Sequence, residues 1–116
     1  MMRIFLKGFI YAFKGIGYAF RTQINFKFHL FSAAGVIALS YYTGLNTTEW
    51  LWIAAAIALV IIIELLNTAI ELLVDQFSPG YHIQAGIIKD VSSAAVLMAG
   101  LFALITGLII FVPKYF

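Results

Sequence analysis

Read from the first residue onward, apolar positions gather into three long runs, about Phe28 to Leu45, Trp50 to Val74 and Val91 to Val112. Each is close to or beyond the ~20 residues that a helix needs to cross the hydrocarbon layer. Ahead of them, Arg3, Lys7, Lys14 and Arg21 recur at spacings that keep all four on a narrow arc, with Ile4, Phe5, Phe9, Ile16 and Phe20 elsewhere around the helix. That pattern predicts an amphipathic helix lying in the headgroup layer with a basic edge. The expected architecture is an all-α membrane protein in one domain over 1–116. It has a surface helix over 1–27 and transmembrane helices over 28–45, 50–75 and 91–112.

The second run breaks its own rule. Glu64, Asn67, Thr68, Glu71 and Asp75 fall along one stripe, sharing roughly a third of the helix circumference at ~100° per residue. A charged group at bilayer depth costs on the order of 2.5 to 3.5 kcal/mol even on lenient insertion scales, so such groups normally face a partner, a metal or a water-filled site. Counting ~1.5 Å per residue from Trp50, Glu64 lies ~21 Å and Glu71 ~32 Å along the axis of a layer ~30 Å thick. Glu71 and Asp75 therefore reach the far headgroup level, where His82, Lys89 and Asp90 begin the third run across a short turn.

Composition agrees with the pattern: 64% of the 116 residues are hydrophobic and 10% charged, with a mean hydropathy of +1.04, against about a quarter charged in soluble domains. There is no cysteine, which removes disulfides, thiolate metal sites and cysteine nucleophiles. Lys7, Lys14 and Arg21 interrupt any apolar core a signal peptide would need, so the first segment is expected to be mature protein. Five of the seven basic residues precede Phe28, the 44–49 turn has none, and Lys89 shares the N-terminal side if three spans are counted. The positive-inside rule puts the N-terminus and the 76–89 loop in the cytoplasm. Tyr41, Tyr42, Trp50 and Trp52, with Tyr115 and Phe116, are expected at the outer interface, and Phe77 and Tyr81 at the inner one.

Local punctuation is sparse. Asn46 is a candidate helix N-cap with Glu49 placed to return a hydrogen bond, the glycosylation-acceptor pattern it also matches being common by chance, and Ser78-Pro79-Gly80 is expected to end the second long helix. Lys14-Gly15-Ile16-Gly17 lacks the third glycine and the strand of a nucleotide-binding loop and reads as a flexible point in the surface helix. Ala95, Ala99, Ala103 and Gly107 form a small-residue stripe along which another helix can approach. His29 and His82 stand at span boundaries, where a lone histidine is more often an interface residue than a ligand.

Carboxylates with an Asn between them can hold Mg²⁺ together with substrate phosphates, a lysine can neutralise a phosphate, and a third carboxylate can take a proton from an attacking hydroxyl. These are the parts of phosphoryl transfer. The competing readings of the stripe are interhelical hydrogen bonding, a small ion-coupled transporter in which Glu64 binds protons or cations, and a catalytically silent assembly subunit.

Glu64-Leu-Leu-Asn67-Thr-Ala-Ile-Glu71-Leu-Leu-Val-Asp75, then Tyr81-His82, then Lys89-Asp90-Val-Ser-Ser-Ala-Ala-Val96-Leu97, closely resembles the prokaryotic diacylglycerol kinase family, which includes undecaprenol kinases. The resemblance implies a homotrimer in the bacterial inner membrane with composite sites at subunit boundaries and no nucleic-acid partner. It implies transfer of the ATP γ-phosphate to a lipid hydroxyl, of diacylglycerol or undecaprenol, with Mg²⁺. By position it makes Glu64 the general base, Asn67 a substrate-orienting or nucleotide-site residue and Glu71 a metal ligand. Lys89 would meet the nucleotide phosphates and Asp90 the adenosine portion, with Asp75 beside them. Gln23 stands where the family has a metal-binding glutamate, one negative charge fewer toward a hard cation. Asn25-Phe26 and His29 in the same stretch look more like the undecaprenol kinase branch.

Overall fold

The computed structural model describes residues 1–80 and 82–116, and all regular structure among the described residues is helical: α1 Met2–Thr22, α2 Ile24–Thr43, α3 Thr47–Phe77 and α4 Ile83–Tyr115. The inner-interface expectation for Tyr81 lies outside the described residues.

Helices α3 and α4 form the most extensive pair, with α2 packed on α3 and α1 folded against α2 and α3. The buried side of α3 runs Ile53, Ala56, Val60, Glu64, Asn67 and Thr68, steps of three, four and one that stay on one helical face. The polar stripe is thus the continuation of the apolar seam. On α4 the buried positions are Ser92, Ala99, Thr106 and Ile110. Small side chains at Ala56 and Ala99 allow close approach of the backbones. Of the small-residue stripe, Ala99 is buried, whereas Ala103 and Gly107 line an open groove between α2 and α4.

Among the described residues two helices are long and apolar enough to cross a membrane, α3 and α4, with mean hydropathy 2.4 and 2.7. The expectation of three spans is met only to that extent. Helix α2 falls short because Asn25, Lys27 and His29 occupy its first two turns and Ser40, Tyr41, Tyr42 and Thr43 its last. The accessible surface is 8557 Å², against about 6,300 Å² for a water-soluble monomer of this mass. Leu, Ile, Phe and Met side chains dominate the exposed faces of α3 and α4, as they do where hydrocarbon or another helix replaces water.

The boundary between the first two helices falls at Gln23, in extended conformation, earlier than the 27/28 junction drawn from charge. Neither Gly nor Pro marks the break. Thr22 Oγ donates instead to the Tyr18 carbonyl at 2.8 Å, a local bond that competes with helix continuation. Ala19 and Phe26 are buried to either side of the junction. Gly15 and Gly17, read as a flexible point, lie inside a continuous α1.

At the opposite end, α2 closes on Gly44 with φ +76°, a left-handed conformation that glycine adopts without steric cost. Asn46 caps α3 as expected: its Oδ1 accepts from the Glu49 N–H at 2.9 Å while Glu49 Oε1 accepts from the Asn46 N–H at 3.1 Å. Lys114 reaches Glu49 at 3.0 Å and Tyr115 shares a hydrogen bond with Thr43, so the end of α4 lies beside the α2–α3 turn. Helix α3 ends at Phe77, with Ser78 as its C-cap before Pro79.

Candidate active site

Glu64 is held by the seam itself. It sits one turn beyond Val60 on the buried side of α3 and is 1% exposed. Its Oε2 has no hydrogen-bond partner among the described residues; the imidazole of His29, from the second turn of α2, faces it with Nε2 at 3.6 Å. Thr68 binds locally, its Oγ donating to the Glu64 carbonyl at 3.0 Å.

Asn67 is the centre of a small network. Its Nδ2 donates to Glu71 Oε1 at 3.3 Å, and its Oδ1 accepts from Ser92 Oγ at 2.7 Å. The directions follow from chemistry: a carboxylate only accepts, so the amide nitrogen faces Glu71, the amide oxygen faces Ser92, and the serine must donate. Asn67 and Ser92 are both 7% exposed, Glu71 is half-buried and Asp75 exposed. The stripe thus opens toward the α3–α4 turn.

Because the chain turns at Gln23, that residue comes back over the α3 stripe. Gln23, Asn25, His29, Glu64, Asn67 and Glu71 line one cavity of about 480 Å³, with Ser93, Val96 and Leu97 of α4 on its other side. It joins the apolar groove between α2 and α4 at Phe28, His29, Gly100 and Leu104, which line both. A polar cavity therefore borders an apolar groove.

The remaining predicted residues lie apart. Lys89 Nζ pairs with Asp75 Oδ1, and both line a second cavity, of about 270 Å³, with Ser78, Pro79, Gly80 and His82 at the α3–α4 turn. His82 Nδ1 caps α4 by accepting from the Gln84 N–H at 3.2 Å. Asp90 is exposed on α4. The structure places Gln23, Glu64, Asn67 and Glu71 on one cavity and Asp75 and Lys89 on the other, with Asp90 lining neither. Two partners escaped the sequence reading. Ser92 sits in a Ser-Ser-Ala-Ala run with no sign of which hydroxyl faces α3, and His29 was read as a boundary residue because its opposition to Glu64 depends on how α2 crosses α3.

The donor set suits a hard cation only in part. Glu71 and Gln23 offer a carboxylate and an amide oxygen, and no group of three His, Asp or Glu side chains among the described residues is placed to cage a metal. That composition fits Mg²⁺, which is commonly held by one or two carboxylates plus substrate phosphates.

The family model for prokaryotic diacylglycerol kinases matches residues 10–111. The chain belongs to the prokaryotic diacylglycerol kinase family. Within it, the undecaprenol kinase of Bacillus subtilis (strain 168) is 38% identical over 110 residues, covering 95% of this chain and 89% of that protein. The diacylglycerol kinase of Synechocystis sp. is 40% identical over 109 residues, 93% of this chain and 62% of that longer protein. The diacylglycerol kinase of Escherichia coli (strain K12) is 31% identical over 100 residues, 86% of this chain and 82% of that one. The matched span takes in both cavities and, but for Val112, the groove beside the first.

Proposed function

We propose that this chain is an ATP-dependent lipid kinase, transferring the γ-phosphate to the hydroxyl of diacylglycerol or of undecaprenol. The observation that carries the reading is Glu64, a buried carboxylate in a chamber it shares with Gln23, Asn67 and Glu71 and that borders an apolar groove, in a member of this family. A lipid hydroxyl entering from the groove meets a proton acceptor there.

Glu64 is the general base. As the lipid oxygen forms its bond to the γ-phosphorus, the hydroxyl proton passes to the Glu64 carboxylate, and the bond from the γ-phosphorus to the bridging β-oxygen breaks to release ADP. Asn67 orients the reactants, with its amide fixed by Ser92 and Glu71. Glu71, with the Gln23 amide oxygen, would hold Mg²⁺, whose charge offsets that of the transferring phosphate. Lys89 exchanges its exposed bond to Asp75 for the nucleotide phosphates, a cheap exchange because such surface pairs contribute only about 0–1 kcal/mol. Asp90 meets the adenosine portion.

The protein works at a membrane. Three spans, α2, α3 and α4, with α1 as the surface helix and a cytoplasmic N-terminus, are supported by the three apolar runs along the chain and the basic residues ahead of them. The site faces the cytoplasm in the bacterial inner membrane. A homotrimer with composite sites is supported by the open side of the groove and by the placement of Lys89 and Glu64 on different cavities, which a neighbouring subunit would bridge. The departure at Gln23 weakens the hold on Mg²⁺.

The test uses the detergent-purified protein with Mg²⁺ and γ-labelled ATP, comparing label transfer to diacylglycerol and to undecaprenol against Glu64→Gln. Transfer to one lipid, lost in the variant, establishes the activity and its acceptor. Absence of transfer to both refutes the reading.

A further inference from the structure

One buried atom in the chamber is left over. Glu64 Oε2 has no hydrogen-bond partner among the described residues, and an unpaired buried carboxylate oxygen is costly. The group that faces it comes from a different helix: His29 Nε2 at 3.6 Å, on a side chain 21% exposed. That separation is slightly longer than a hydrogen bond, and hydrogen bonds of this kind commonly tighten in the complex with substrate.

His29 also occupies a particular place. It is one of four residues lining both the acidic chamber and the apolar groove, and it is the polar one among Phe28, Gly100 and Leu104. A hydroxyl arriving from the groove passes this imidazole before it reaches Glu64. The neighbouring Phe28 ring meets the imidazole edge to face at 5.7 Å.

We infer that His29 is a positioning residue for the transfer reaction: its Nε2–H holds Oε2 of Glu64, fixing the carboxylate plane so that the other oxygen is presented to the incoming lipid hydroxyl. The inference rests on the lipid-kinase reading, and it gives α2 a role in the chemistry beyond lining the groove. His29 accepts no proton from substrate and touches no phosphate. Its effect passes through Glu64.

The test is a double-mutant cycle on the full chain in detergent, with kcat, KM and Tm measured for wild type, His29→Ala, His29→Gln, Glu64→Gln and the His29→Ala/Glu64→Gln pair. Removing an outer partner that orients a reactive group typically costs about 10- to 100-fold. His29→Ala is expected to lower kcat by that factor while KM for ATP stays within about twofold. Gln retains a side-chain N–H donor, so His29→Gln is expected within about threefold of wild type, and His29→Ala is expected to change nothing further when Glu64 is already Gln. A full kcat in His29→Ala, or a His29→Gln as slow as His29→Ala, overturns the positioning role. The Tm cycle is read without substrate. Additive Tm shifts overturn the contact itself, whereas coupled shifts in a wild type that transfers no phosphate overturn the lipid-kinase reading instead.

Discussion

Ser92→Ala removes one oxygen atom from a buried network and leaves the shape of the seam almost unchanged. In the folded protein Ser92 Oγ donates to Asn67 Oδ1 at 2.7 Å, with both residues 7% exposed. Its loss leaves the amide oxygen buried without its donor, a penalty of about 1–3 kcal/mol in water-soluble proteins. Between membrane helices such bonds average about 0.6 kcal/mol and reach about 1.7, because the separated helices find other partners. An effect near 1 kcal/mol is the expectation, seen as a lowered Tm in detergent. The amide also loses the bond that fixes its direction. Once free to rotate, it presents oxygen rather than nitrogen to Glu71 for part of the time, and the bond at 3.3 Å from Asn67 Nδ2 to Glu71 Oε1 is lost in that fraction. A further 1 kcal/mol at the site corresponds to a drop of about fivefold in kcat. The assay is ATP-dependent lipid phosphorylation alongside thermal unfolding. A Ser92→Ala protein with unchanged Tm and unchanged kcat would refute the argument that this hydroxyl orients Asn67.

Glu64→Gln keeps the shape and removes the proton acceptor, so lipid phosphorylation should fall about 10²- to 10⁴-fold while Tm holds or rises, since a buried charge is removed; label transfer and thermal unfolding check both. Glu71→Ala is expected to abolish transfer with an unchanged sizing profile in detergent, and a fully active variant would remove the proposed metal site. Gln23→Glu returns a negative charge to the chamber and should lower the Mg²⁺ concentration for half-maximal activity several-fold, read from a Mg²⁺ titration. Gly44→Ala forces a side chain into the left-handed region and should cost about 1–2 kcal/mol, measured as a Tm loss with kcat unaffected.

Much of this protein is readable without coordinates because a membrane makes local chemistry decisive. Three apolar runs, a basic amphipathic leader and an acidic stripe follow from periodicity alone. The capping box at Asn46 and the stop at Ser78 follow from side chains that act on their own backbone. Glu64, Asn67 and Glu71 stood out because lipid tolerates no idle charge. What periodicity could not supply was any relation between helices. The break at Gln23 depends on a threonine hydroxyl competing for a carbonyl and on the burial of Ala19 and Phe26 around the turn, none of which leaves a Gly or Pro in the chain. That break carries Gln23 to the cavity it lines with Glu64, Asn67 and Glu71. The choice of Ser92 as partner of Asn67, and of His29 as the group facing Glu64, depends on rotation and crossing of packed helices. A shift of one residue there turns a side chain by ~100°, so pairing across helices belongs to the tertiary structure, while which helix face carries charge is already decided along the chain.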